Sequence, residues 1–478
     1  MPDPLSLIDV LPQDLIDLLI DLLWSAGERF AIRECASLCR AFLPRSQHHW
    51  FSFMKLTHGR VPEFYDILQR TPSIARAVRS LHLVFNAGRC DWKVDAGAPE
   101  FMYILKSITQ PTTSTESTSL RELKLEDEYS NAAKIKNPQL FIERVFKPFF
   151  APHIKSLHIE NLSNVPIDVI DACIGLTELA LVGTSLNFKY GRSNTQSHPQ
   201  FSPRRHKLKR LEHTDSAQLK RLTMADPQTQ SRLDLSELRS LYVHIDSMSE
   251  AAEQWVIDES AGALEELHFY NFDDPECELG WFINLRACSN LRVLDLYIRL
   301  GHPTPGGDED DIHTLSLVLS RLPKRNRLDT IRLQAYVGHV WRVDDPQDIL
   351  NADWDSLQRR LLDVAAGKAS FEFDFRMIYL DANDKWMEEG SDSDDGMDEE
   401  SDSEDGMDEG SDEGTEEGSE KGMEVKREKG MRELWEDGMH ARCEAALDRL
   451  RTEKLAKLSC VSVVNVVLSH YVDIPHQS

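Results

Sequence analysis

Leu238-Arg239-Ser240-Leu241-Tyr242-Val243 is followed by Leu264-Glu265-Glu266-Leu267-His268-Phe269, and both have the form apolar-x-x-apolar-x-apolar. The same phrase starts at residues 78, 120, 154, 176, 208, 219, 238, 264, 291 and 328, the copy at 208 ending imperfectly on His213. Successive starts are 42, 34, 22, 32, 11, 19, 26, 27 and 37 residues apart. Leucine-rich repeats place one short strand in every 20–29 residues or so. Four of the nine gaps fall in or beside that window. The pattern predicts an α/β fold: an irregular leucine-rich-repeat-like α/β solenoid over residues 57–386, with connections of unequal length. A gap of 11 residues is too short for a helical crossover between parallel strands, which puts one of the copies at 208 and 219 in doubt.

The intervening segments suit helices over 140–146, 249–263 and 315–322, where apolar residues recur near a 3.6-residue period. Phe371-Glu372-Phe373-Asp374-Phe375 alternates cleanly and predicts a last strand. The long polar stretches 191–205 and 301–311 read as protruding loops. On stacked strands, the residues flanking the third apolar position point away from the core. They include Lys124, Glu126, His158 and Glu160 early, and Tyr242, His244, His268, Tyr270, Asp295 and Tyr297 late. His244, Tyr270 and Tyr297 are expected in one column on three successive strands. Exposed aromatics with polar tips on a rigid surface are typical of binding hot spots. Tyr242, His244, His268, Tyr270 and Tyr297 are therefore the candidate residues for binding a partner protein.

Upstream, Leu11-Pro12-Gln13-Asp14-Leu15-Ile16-Asp17-Leu18-Leu19-Ile20-Asp21-Leu22-Leu23 predicts a helix, with Pro12 in its permissive first turn. Asp14, Asp17 and Asp21 share one polar stripe, and every other residue from 15 to 23 is Leu or Ile. Such a helix has more apolar surface than one neighbour covers. After Ser25-Ala26-Gly27, a second helix is expected over about 29–42, with Phe30, Ile32, Cys35, Leu38, Cys39 and Phe42 on its apolar positions. Pro44 ends it or starts another helix, and the aromatic segment from Trp50 to Leu56 follows. A module of about fifty residues has little core of its own.

The run Leu11-Pro12-Gln13-Asp14-Leu15, then Cys35-Ala36-Ser37-Leu38-Cys39-Arg40-Ala41-Phe42-Leu43-Pro44-Arg45-Ser46, then Trp50-Phe51, resembles an F-box of the fungal type. Asp14 stands where the family has Glu, Leu38 where it has Val, and Phe42 where it has Trp. Ala36-Ser37 is a looser match to Ser-Leu. The resemblance covers residues 5–56, and Arg70 to Leu81 extends it as a similar linker. It implies docking on the Skp-type linker subunit of a cullin–RING ubiquitin ligase. Leu11, Pro12, Leu15 and Leu19 would lie in that interface, with Cys39, Arg40 and Phe42 divided between interface and core. The implied function is a substrate-recognition adaptor, in which the repeat region holds the protein substrate and other subunits perform the transfer.

The formal charge of −27 is concentrated. Residues 388–420 hold eighteen Asp or Glu and no Lys or Arg, which leaves −9 on the other 445 residues. That balance argues against a general nucleic-acid binder. Ser391 to Gly410 repeats a ten-residue unit twice, and the tract 387–424 is too charged to bury a core, so it reads as disordered. Its Ser-Asp-Ser starts lack the carboxylates that a calcium loop needs. Ser391 and Ser401 each have an acid three residues on, as in acidic-directed phosphorylation sites. From 425 to 458 the chain is helix-prone, with Leu447, Leu450 and Leu458 as anchors, and 461–468 is β-prone; the tail 425–478 is expected to cap the array.

The eight cysteines form no C-x-x-C, and Cys35 and Cys39 at i, i+4 read as a helix's apolar face rather than, with His48 and His49, a zinc site. No signal peptide or membrane span is apparent, which suggests the cytoplasm or nucleus. The basic run 203–210 is a weak nuclear-localisation pattern. No catalytic motif, cofactor motif or metal motif stands out. The rival expectation is a leucine-rich scaffold without a ligase role, whose acidic tract binds histones or other basic partners.

Overall fold

The computed structural model describes residues 11–85, 98–109, 120–127, 133–134, 138–188, 205–223, 233–244, 250–270, 283–299, 311–338, 350–380, 441–461 and 464–473. They belong to two compact units, Met1–His268 and Phe269–Ser478. Both are mixed α/β and built on parallel strands. The acidic tract, most of the loops expected at 191–205 and 301–311, and the start of the tail lie outside the described residues.

The first unit begins with helices α1 (Gln13–Ser25), α2 (Arg29–Leu38) and α3 (Leu43–Trp50). Gly27, at φ +79°, makes the turn between α1 and α2 in the left-handed region that glycine tolerates. The helix expected over about 29–42 ends early, at Leu38, and Pro44 starts the next helix, α3, rather than ending α2. Cys39 is extended (φ −158°, ψ 165°), and Pro44 sits in the first turn of α3, where its missing N–H costs nothing.

The sheet follows in chain order: β1 (Phe53–Leu56), β2 (Ser80–Phe85), β3 (Glu122–Asp127), β4 (Ser156–Glu160), β5 (Glu178–Val182), β6 (Arg210–His213), β7 (Ser240–His244) and β8 (Glu266–Tyr270), within which the first unit ends and the second begins. The pairs from β1 to β7 are parallel. β1, expected only as a short aromatic segment, pairs with β2 from Phe53↔Ser80 to Leu56↔Leu83 and so joins the helical module to the sheet. The copy at 219 is not a strand. Leu219 and Leu222 lie buried on the helix Ser216–Thr223 (α4), and the copy at 208 is the one that forms β6. His213, the imperfect end of that copy, keeps the register and is buried.

One set of alternating residues packs beneath this sheet. Leu81, Leu123, Leu157, Leu179, Leu211 and Leu241 meet in register, and so do Leu83, Leu125, Ile159 and Leu181; all are at most 5% exposed. The leading apolar residues Val78, Leu120, Ile154, Leu176, Leu208 and Leu238 are equally buried. Each such leucine contributes roughly 1.5–3 kcal/mol by leaving water. The helix expected at 140–146 is Pro138–Phe141 running on as a wider π-helix, Ile142–Phe150. That wider turn holds Pro148, which has no N–H for an ordinary helical ladder.

The second unit repeats the scheme with β9 (Val293–Arg299), β10 (Thr330–Gly338), β11 (Phe371–Leu380) and β12 (Val464–Asp473), all parallel. Helices α5 (Asp311–Ser320) and α6 (Trp354–Ala365) connect β9 to β10 and β10 to β11. Asp353 caps α6 by accepting from the Ser356 N–H at 3.1 Å, and His313 on α5 lies 3.0 Å from its other oxygen. The expected last strand at 371–375 is β11, and the β-prone tail pairs beside it as β12. Leu447, Leu450 and Leu458 are buried, as their reading as anchors requires. Phe371, Phe373 and Phe375 fill the core under β11, with Trp354 edge-on to Phe375 at 5.4 Å.

Among the described residues, no helix is long and apolar enough to cross a membrane. Phe373→Ala is expected to destabilise the second unit by about 3–5 kcal/mol in urea unfolding, because its ring is fully enclosed. Glu372→Ala, on the other side of the same strand, is expected to cost less than about 0.5 kcal/mol.

Candidate functional site

Two surfaces concentrate the unusual side chains. The first is the outer side of α1. Ile16 and Ile20 point inward, at 2% and 0% exposure, and pack with Ile32 and Phe42; Leu23, Trp24, Cys35 and Cys39 border that core. Leu11, Leu15, Leu18, Leu19 and Leu22 face out, at 37–59% exposure. Positions 15, 18 and 22 form one seam along the helix, because a step of three or four residues returns to the same side, and Leu11 lies just ahead of its N-terminus.

Of the expected docking residues, Leu11, Pro12, Leu15, Leu19 and Arg40 are exposed, Cys39 is half-buried, and Phe42 lies in the core at 6% exposure. Leu18 and Leu22 extend the seam beyond those residues, and the recurrence Leu11/Leu18, Leu15/Leu22 was the signal for them. Phe30 and Leu38, expected on the buried side of α2, are instead about 70% exposed (72% and 69%). Neither belongs to the small core that Ile16, Ile20, Ile32 and Phe42 make.

The aspartate stripe is not purely solvated. Asp21 binds the Arg45 Nε and Nη2 through its two oxygens, each at 2.7 Å, and His49 Nε2 lies 2.6 Å from Oδ1. These contacts tie α1 to α3. Gln13 reaches across as well, donating to Asp17 at 2.7 Å and to the Ala41 carbonyl at 2.9 Å. Hydrogen bonds from Arg45 and His49 draw the Asp21 carboxyl down from its ordinary 3.8 to about 2. His49 also stacks on Trp24 at 5.1 Å. Beside this joint, a cavity of about 360 Å³ opens between α2 and α3, lined by Ile32, Arg33, Ala36, Ser46, Trp50 and their neighbours.

The second, taken in each unit by itself, is the side of the strands opposite the apolar core. In the first unit, His82, Lys124 and His158 share one register row, and Glu126 pairs with Glu160 in another. Lys124 Nζ bridges Glu160 at 2.6 Å and Glu126 at 3.1 Å; His82 contacts Glu126, and His158 lies 3.4 Å from Glu160. Burial disfavours the charge on Lys124, but the two glutamates outweigh it and hold its pKa above the ordinary lysine value. Hydrogen bonding from His158, then from Lys124, holds Glu160 at about 2. Burial keeps the His82 pKa below the ordinary value.

Further along, Arg210 lies over the Tyr242 ring at 4.3 Å, and Tyr242 stacks flat on His268 at 4.0 Å and 4°. In the second unit, the Tyr270 and Tyr297 rings meet at 4.3 Å. Two of the three members of the expected column therefore touch; the side chain of His244 lies outside the described residues. Tyr242 and His268, both expected to be exposed, form a stack in which His268 is only 7% exposed, because the Tyr242 ring covers it. Cys35 and Cys39 belong to the border of the α1 core, and among the described residues no group of three or more His, Cys, Asp or Glu is placed to hold a metal ion.

Because the Asp21 pKa is lowered on folding, its contribution is present above about pH 4 and is lost as pH falls towards 2. A shift of this size corresponds to about 2.5 kcal/mol, which exposure of more than a third of the side chain reduces to about 1 kcal/mol. Asp21→Asn is expected to lower stability by that amount at pH 7 and to remove that part of the acid dependence, as read from thermal melts between pH 5 and 2.

In comparisons with known proteins, the sequence matches no family model and no curated protein.

Proposed function

We propose that the chain is a substrate-recognition adaptor of a cullin–RING ubiquitin ligase. Its N-terminal module is an F-box that docks on the Skp-type linker subunit. Its repeat region is a leucine-rich-repeat-like solenoid whose open surface holds the protein substrate. The observation that supports this reading most is the leucine seam of α1. Leu15, Leu18 and Leu22 are half or more exposed on a helix whose opposite side is already packed. A row of leucines left in water at this density is the pattern of a helix that a partner covers. The motif order from Leu11-Pro12 to Cys39-Arg40 and Trp50-Phe51 supports the identity of that partner.

The chain contributes positioning rather than chemistry in this reading. Linking the docking module to a client surface raises the effective concentration of client lysines near the transfer enzyme. Each unit offers flat, preorganised groups as candidates for client binding, Tyr242 on His268 in the first and Tyr270 on Tyr297 in the second, which lose little entropy when a partner covers them.

Co-purification with the Skp-type linker tests the docking half. Wild type is expected to retain the linker, and Leu11→Asp with Leu15→Asp to lose it, with the far-ultraviolet circular dichroism unchanged because both side chains already face solvent. Failure of the wild type to bind any linker would sink the adaptor reading. For the client half, Tyr270→Ala with Tyr297→Ala is expected to abolish capture of ubiquitylated clients while linker binding persists; undiminished capture would remove these tyrosines from the site.

A further inference from the structure

The open side of the second unit's strands carries an arrangement that the docking reading does not require. Asp295 on β9, Arg332 on β10 and Asp374 on β11 stand in one register row, and Tyr297, Gln334 and Arg376 stand in the next. Both carboxylates are buried, Asp295 at 6% and Asp374 at 2% exposure. Asp374 is held from one side only. Arg376 places Nε at 2.9 Å and Nη2 at 2.6 Å from the same oxygen, Oδ2, and among the described residues Oδ1 has no donor. A guanidinium satisfying a carboxylate fully would engage both oxygens in parallel. Arg332, between the two aspartates in register, forms no ion pair with either among the described residues.

A buried carboxylate oxygen without a donor calls for one from outside. The surroundings select its kind. Tyr297 lies close enough to Asp295 to feel its charge, its ring meets that of Tyr270 at 4.3 Å, and Gln334 donates to Asp295 at a long 3.5 Å. Burial and the nearby Asp295 charge keep Tyr297 protonated to higher pH than an ordinary tyrosine, so it remains an aromatic hydroxyl at neutral pH. Aromatic rings beside desolvated carboxylates favour a cation with an apolar stem, since the rings cover the stem and attract the charge.

We infer that this surface binds a basic side chain, lysine or arginine, of a partner protein, with Asp374 Oδ1 receiving its N–H, Asp295 adding negative charge and Tyr270 and Tyr297 lining the stem. The inference rests on the adaptor reading only in naming that partner as the client. Arg376, half-exposed, is the cover that moves as the ligand enters. Arg332 opposes the incoming cation and sets the affinity.

The test uses the full chain and a short lysine–alanine repeat peptide carrying a central benzophenone, with a glutamate–alanine repeat as counterpart. Photo-cross-links of the lysine peptide are expected within 291–299 or 371–380. Asp374→Asn and Asp295→Asn, which preserve shape, are each expected to weaken binding about tenfold, whereas Arg332→Gln strengthens it. Cross-links confined to the acidic tract 388–420, equal binding by the Asp→Asn variants, or preference for the glutamate peptide would each overturn the inference. Linker capture measured on the same preparations separates the two readings: if capture persists without peptide binding, only the basic-side-chain site fails.

Discussion

Everything in the sheets depends on one alternation kept in step from strand to strand. Leu81, Leu123, Leu157, Leu179, Leu211 and Leu241 lie side by side because each neighbouring strand pairs in parallel at the same phase. A slip of one residue would drive His82, Lys124 and His158 into the core and expose the leucines. The penalty for slipping is therefore set on both sides of the sheet at once. Connections of very different length are tolerated because loop-closure entropy grows slowly with length, while the register energy does not depend on the connection.

The same alternation produces the candidate binding surface. With the apolar set committed to the helices, the remaining residues of every strand are delivered to one side at the strand spacing. Charges close on each other there, as in the chain His82–Glu126–Lys124–Glu160–His158, or flat groups stack, as in Arg210–Tyr242–His268. Such ladders hold side chains in place before any ligand arrives.

The N-terminal module follows a different logic. Its core has room for Ile16, Ile20, Ile32 and Phe42, with a few half-buried neighbours. A module this small encloses one side of α1, and the leucines on the other side remain in water. Polar joints then supply what packing does not: Asp21 is gripped by Arg45 and His49, and Gln13 reaches the Ala41 carbonyl. β1 adds covalent and hydrogen-bonded continuity with the first sheet.

Period and spacing by themselves determined much of this. The apolar-x-x-apolar-x-apolar phrase located β2 to β10, because two apolar residues in alternation can only be satisfied on one side of a strand, and the alternation at 371–375 located β11. The surplus of leucine between 11 and 23 announced a helix with two apolar sides, and the aromatic positions at 242, 270 and 297 were legible as lying away from the apolar core, whereas the exposure expected of His268 is absent. Other features waited for the tertiary structure. Leu219 matches the phrase as well as Leu208 does, and only the shortness of the connection, resolved by packing, made one a helix and the other a strand. Phe30 and Leu38 fit an apolar period yet lie outside, since period states which residues share a side and not whether anything is there to cover it. The grip of Arg45 and His49 on Asp21 and the bare oxygen of Asp374 join residues 24 or more apart or depend on angles between neighbours. Those are properties of how elements meet in space, which local sequence does not encode.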